Sequence, residues 1–514
     1  MARGRSSARG RGGGQNLSAI RMPQSILLDR PLGWREVCDI AQGAYLELSG
    51  AARTRISAAR ELVQAIVRKG VRAYGVNTGV GALCDVVVSE SQQAQLSRNI
   101  VMSHAVGVGS ALEPAAVRAI MAAAVNNFAH GFSGVRPAAV DLLVALLAAD
   151  CVPEVPAGGS VGYLTHMAHI ALVLLGEGSA RSQGRVIGGA EALRTISRTP
   201  LVLAAKEGLS LVNGTPCATG LSALALGRIR PLLDWADAVA AMSFENLRGQ
   251  AAAFDAAALT LRVSPGVAEV GATLRAALHG SEILRQSAGR RTQDPLSLRA
   301  VPQVHGAVRD LFVRIGRVVD DELASVTDNP VVVGTPDEPR ALSGANAVGA
   351  ALGLGADALA IGVAEVAAMS ERRVDRLVNP LVSHLPAFLA AGGTGSGFMI
   401  AQYTAVSLAA ENRRLAAPAS LDGGITSGLQ EDHLSHATPS ALKLLRIIDN
   451  AELMLAIELL AAAQAYELQP DSLARAPQTD GIYRRVRAAI AAYADDRPLG
   501  GDIQTARALI RQPL

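Results

Sequence analysis

The stretch GANAVGAALGLGADALAIGVAEVAAMSERRVDRLV, residues 344–378, decides the architecture. Its small apolar residues recur at helical spacing without a proline to break them, and its charges crowd towards the end. A helix this long, faced with Ala and Gly, lets neighbouring helices approach closely. The same pattern recurs at 231–258, 306–326, 397–416 and 438–468. These runs predict a mainly α fold built on a long central helical bundle. Towards the N-terminus, helical spacing over 35–70 and 88–150 is broken by YGVNTGVGA (74–82) and HGFSGVRP (130–137), which read as turns. The expected division is a basic tail at 1–22, a smaller helical and loop region at 23–205 that carries the site loops, and the long-helix region at 206–514. No internal repeat of roughly 20–50 residues is visible.

Composition narrows the class. Of 514 residues, 50% are hydrophobic and only 3% aromatic, so small aliphatic packing dominates. The net charge of +3 is too small for a nucleic-acid surface. Arg3, Arg5, Arg9 and Arg11 make the first residues a basic tail, with no apolar segment behind it to form a secretory signal. Cys38, Cys84, Cys151 and Cys217 lack CxxC spacing and read as reduced, mostly buried thiols of a cytoplasmic protein. No run is apolar and uninterrupted enough to be read as a membrane span. Helices lined all round with small apolar residues call for coverage by further copies of the chain, hence a symmetric oligomer.

Polar-glycine loops interrupt these helices where packing does not require them. They hold Tyr74, Ser103-His104, Asn213, Gln293, Arg299, Asn346 and Glu431. Each alone also fits a helix cap or turn. Together they supply a phenol, an imidazole, amides, a guanidinium and a carboxylate, a set able to bind an amino acid and move one of its protons. His166/His169 and His433/His436 have HxxH spacing without the Glu of HExxH, so no metal site is expected. The GGTGSGF run at 392–398 lacks the Lys-Ser/Thr ending of a phosphate loop.

From about residue 25 onward the chain resembles the histidine and aromatic amino-acid ammonia-lyases and their 2,3-aminomutase relatives. The resemblance rests on YGVNTGVG, SRNIVMSHAVGVG, LAAKEGLSLVNGT, TQDPLSLRAVPQ, TDNPVV, SGANAVG, EVAAMSERR, TGSGFMIAQYTAVSLAAEN and TSGLQEDHLSHA. It implies a mainly α homotetramer with active sites built from several subunits. It also implies elimination of ammonia from an α-amino acid, histidine-like or with another polar or aromatic side chain, to give an α,β-unsaturated acid. By the same resemblance Tyr74 is the base that takes the β-proton, and Asn213 hydrogen-bonds near the electrophile. Arg299 pairs with the substrate carboxylate, Gln293, Asn346 and Glu431 hold the substrate, and His104 lies at its side-chain end. The resemblance to the histidine-type Ser-His pair at 103–104 points to a polar ring.

The family's electrophile is a 4-methylidene-imidazol-5-one (MIO) cyclised from an internal Ala-Ser-Gly. That tripeptide belongs in VPAGGSVGYLTHMAHIALVLLGEG (155–178), after Gly162 and before Tyr163, and both flanks match while the three residues are missing. Either the ring is carried as a modified residue that the one-letter sequence omits, or Gly162 is joined to Tyr163 and no such cofactor forms. On the second reading the protein is a MIO-independent enzyme or an inactive binding or scaffold subunit. Tyr163 stands where the family has an acid, Leu296 where it has tyrosine, and Ala347 where it has phenylalanine. Gly162 and Tyr163 are therefore candidate site residues themselves.

Overall fold

The computed structural model describes residues 24–421, 423–469 and 472–514. The basic tail expected at 1–22 lies outside the described residues. The core is a bundle of long helices, Pro216–Asn246, Val301–Leu323, Ala350–Val378 and Ala437–Glu467, with Met399–Leu415 laid along it. Ala350–Val378 packs most extensively on Ala437–Glu467, which also lies against Pro216–Asn246.

Small residues set the spacing. A Cβ at Gly266 would come within 2.1 Å of the Gly306 carbonyl, and one at Gly220 within 2.6 Å of the Ala119 backbone. These crossings admit glycine alone. Between the helices the buried charges are paired. Arg373 donates to Glu458 through Nε (2.5 Å) and Nη2 (2.9 Å), and Arg309 reaches Asp237 at 2.6 Å. Pairing offsets the large desolvation cost of such groups.

The structure shifts several expected boundaries. The helix read at 231–258 begins at Pro216, carries Pro231 inside it and stops at Asn246. Gly249 follows against the Phe244 ring, where a Cβ would sit 2.4 Å from it. The helix expected from 344 starts at Ala350, and 343–349 is a loop. By length and composition, Glu207–Asn246 and Ala350–Val378 are long and apolar enough to cross a membrane, but 94% and 61% of their most apolar windows are buried in the bundle. Their apolarity is that of core helices.

The smaller region packs Trp34–Ala41, Gly50–Arg68, Gln93–His104, Pro114–Ala129 and Pro137–Ala148 around the bundle's end. Short strand pairs tie it together: Ser25–Leu28 runs parallel to Tyr45–Leu48, and Ser179–Ser182 pairs antiparallel with Arg185–Gly188. Helix Thr165–Leu174 follows the glycine-rich turn at 158–162 and is nearly all buried. That packing fixes the turn's far end.

Candidate active site

Loops from along the chain converge on one cavity of about 620 Å³, whose walls include Tyr74, His104, Val161, Tyr163, Asn213 and Glu431. A roomier hollow of about 710 Å³ lies elsewhere, along Ser396–Leu408 and Tyr493–Gln504. Its carboxylate, Asp496, already accepts from the amides of Ser396 and Gly397. The chemistry gathers in the first cavity.

Each wall residue is held by its loop. Tyr74 is half-buried, and its phenol oxygen accepts from the Gly81 amide at 3.2 Å. Burial raises its pKa above the ordinary phenol value, the Gly81 contact lowers it, and the Glu431 charge raises it again. Glu431 sits in a tight turn, where Thr426 donates to its carbonyl (2.9 Å) and it donates to the Thr426 carbonyl (3.3 Å). Asn213 ends helix Glu207–Val212. Its Nδ2 donates to the Asn329 carbonyl at 2.6 Å, and Asn329 Oδ1 accepts from the Gly344 amide at 2.7 Å. That relay positions the 343–349 loop, whose Ala347 and Val348 line the cavity.

His104 ends helix Gln93–His104, with Nδ1 3.1 Å from Ser103 Oγ. Burial lowers its pKa, outweighing the opposite pull of the Ile100 carbonyl, so the ring is neutral at pH 7.

The turn at 160–164 joins Gly162 directly to Tyr163 and is pinned from both sides. Ser160 Oγ accepts from the Gly162 amide and donates to the Tyr163 carbonyl, both at 3.2 Å. Thr438 Oγ1 donates to the Gly162 carbonyl at 2.9 Å, and the His436 amide to Val161 at 3.0 Å. A Cβ at Gly162, where φ is +142°, would meet Ser435 Oγ at 2.7 Å. Leu164 then takes φ +74° and ψ −69°, and the Thr165 amide bonds the Tyr163 carbonyl at 3.1 Å. This is a γ-turn of the rare, strained hand, which for a leucine costs about 1–3 kcal/mol. It points the Tyr163 ring into the cavity, buried to 8% exposure, with its phenol donating to Glu431 Oε2 at 2.8 Å. Burial first, then that hydrogen bond and the Glu431 charge, push the Tyr163 pKa far up.

Three expected site residues are not brought to this cavity within one chain. Arg299 ends the short helix Leu296–Arg299 and donates to the Asp294 carbonyl. Gln293 is exposed, and with its amide turned its oxygen accepts from the Arg299 guanidinium. Asn346 is exposed and donates to the Val326 carbonyl at 3.1 Å, holding the loop rather than lining the cavity. Leu296 is likewise 62% exposed. In sequence alone a helix-capping or loop-holding group is indistinguishable from a ligand.

The sequence reading also missed residues. Cys84 is not buried with the other thiols: it lines the cavity, and Gln430 Nε2 lies 3.2 Å from its Sγ. Lys206 and Asp328 form a buried pair next to Asn329, a role signalled only by the charges Lys206-Glu207 set inside the apolar run LAAKEGLSL. Of the HxxH histidines, His166 Nε2 lies 3.0 Å from the Ala157 carbonyl, and His169 Nε2 accepts from the Gly107 amide at 3.0 Å. Among the described residues, no group of three or more His, Cys, Asp or Glu gathers as metal ligands.

The family model described as aromatic amino acid lyase matches residues 32–488. A histidine ammonia-lyase of Symbiobacterium thermophilum is 42% identical over 95% of this chain and 96% of its own length. Among solved structures, the histidine ammonia-lyase of Trypanosoma cruzi superposes with a TM-score of 0.87 at 35% identity, covering 95% of this chain and 93% of that one. The tyrosine aminomutase of Streptomyces globisporus gives 0.89 at 32% identity, covering 95% and 97%.

Proposed function

Because the chain belongs to the aromatic amino acid lyase family and is a carbon–nitrogen lyase of the ammonia-lyase type, we propose that its cavity takes an α-amino acid with a polar ring, histidine or a close analogue, and releases ammonia from it. The observation that carries this reading is the convergence of Tyr74, His104, Asn213 and Glu431 on one cavity. A neutral imidazole at the side-chain end hydrogen-bonds a polar ring, whereas a benzyl group leaves it unpaired at a cost of about 1–3 kcal/mol.

The family's MIO group does not fit the residues present. It needs Ala-Ser-Gly, and the chain has no residue between Gly162 and Tyr163, while the neighbouring triplet Ser160-Val161-Gly162 has a valine in the middle with no hydroxyl to lose. The Tyr163 ring and its bond to Glu431 occupy the turn's cavity side. No step is therefore routed through that group.

The chain's own residues divide the remaining work. Tyr74 takes the β-proton on its phenol oxygen, where the Gly81 amide counters part of the upward push that burial gives its pKa. Glu431 hydrogen-bonds the substrate amine, which is bound in its neutral form, and Asn213 fixes the cavity wall. Arg299 and Gln293, away from this cavity, serve the cavity of a neighbouring copy in a homotetramer, where a guanidinium fork receives the substrate carboxylate. The enzyme works in the cytoplasm.

A panel of α-amino acids assayed for ammonia and unsaturated acid tests the reading, with histidine expected to lead. β-Amino acid products would move the chain to the aminomutases. Binding without turnover of any member would make it a binding subunit on the same fold.

A further inference from the structure

Resting on the ammonia-lyase reading, we propose that Tyr163 is a catalytic acid that hands its phenol proton to the departing amine nitrogen while Tyr74 takes the β-proton. An elimination from an unactivated amino acid needs something at nitrogen, because a neutral amine is a poor leaving group. The turn that would present an electrophile presents a phenol instead.

Its placement is that of an acid held ready. The ring is buried in the cavity wall, its backbone is pinned by Ser160 and Thr438 partners, and its oxygen is anchored 2.8 Å from Glu431. Tyr74 lines the same cavity. The two phenols have opposite hydrogen-bond partners: Tyr163 donates to a carboxylate, which keeps its proton on, and Tyr74 accepts from an amide, which offsets part of the upward shift that burial gives its phenol.

The step balances. The Cβ–H pair becomes the Cα=Cβ bond as the proton passes to the Tyr74 oxygen. The Cα–N pair leaves on nitrogen, which takes the Tyr163 proton and departs as ammonia. One proton has moved from Tyr163 to Tyr74, and its return through solvent resets the site.

Two variants of the full-length protein test this. Tyr163→Phe should lower kcat for ammonia release by about a hundredfold or more, the usual worth of a placed acid, with melting temperature unchanged. Replacing Tyr163 with 3,5-difluorotyrosine, which acidifies the phenol at nearly constant shape, should move the alkaline limb of the kcat profile to lower pH. Unchanged ammonia release in Tyr163→Phe overturns the proposal. So does a loss in that variant combined with an unmoved alkaline limb, which would make Tyr163 a positioning residue for Glu431. Inactivation of the parent by borohydride, with an intact mass that includes a cyclised tripeptide, overturns it too. A parent that releases no ammonia from any amino acid fails one stage earlier, and removes the underlying reading along with it.

Discussion

Lys206 and Asp328 face each other at 3.0 Å, and water reaches neither side chain. The same ammonium donates to the Ser133 carbonyl at 2.8 Å and to Ser210 Oγ at 2.7 Å, so its three protons are all engaged. Burial lowers the Lys206 pKa, and Asp328 pulls it back up. The pair clamps the segment leading to Asn213 onto the segment carrying Asn329, and so sets one wall of the cavity. Lys206→Met strands the Asp328 carboxylate and should cost about 3–5 kcal/mol in denaturant unfolding. Adding Asp328→Leu should recover part of that loss. Equal costs for the single and double variants would show that the ammonium serves Ser133 rather than Asp328.

Acid should loosen the fold in a defined window. His104, His130, His166, His169 and His305 all have pKa values lowered by burial below the ordinary 6.5. Below 6.5 the unfolded chain binds protons that these folded sites refuse. The stability they contribute is full above that value and is lost as pH falls through their lowered values. Melting temperature should be level near neutrality and decline progressively below it. A melting temperature that holds down to about pH 5 would contradict this account.

His104→Leu should narrow or reverse the preference for a polar ring over phenylalanine, measured as a ratio of kcat/KM values. A shift of about tenfold or more is expected from one unpaired buried imidazole. A parent enzyme that already prefers phenylalanine would remove His104 from the selectivity role.

Arg299→Lys should raise the substrate KM by roughly tens-fold, because an ammonium cannot reproduce a bidentate guanidinium at about 1.5–3 kcal/mol. If Arg299 serves a neighbour's cavity, mixing subunits of Tyr74→Phe with subunits of Arg299→Lys should regenerate some fully native sites and partly restore activity. Unchanged kinetics with a lowered melting temperature would place Arg299 in holding the 293–299 loop.

The bundle was legible because its signal is periodic: Ala350–Val378 and Ala437–Glu467 fall within a few residues of their apolar runs. The cavity was legible in part. Tyr74, His104, Asn213 and Glu431 share it, although they are far apart in sequence. Arg299 and Gln293 carry equally plausible chemistry yet do not line this cavity, since a motif does not encode which way its side chains face. Lys206 and Cys84 went unread because a lone buried cation and a lone thiol have no spacing pattern. The Tyr163–Glu431 bond was invisible for another reason: it depends on a backbone conformation at Leu164 that leucine rarely adopts.

That conformation makes the junction hard to undo. Lengthening the chain between Gly162 and Tyr163 would free Leu164 from its γ-turn but leave the Tyr163 ring to be rehoused. Replacing the whole ring with a small side chain first would empty a filled wall while the strained turn remained. Either change alone passes through a less stable protein, so the two forms of this site are separated by a paired alteration, and the short form behaves as a ratchet.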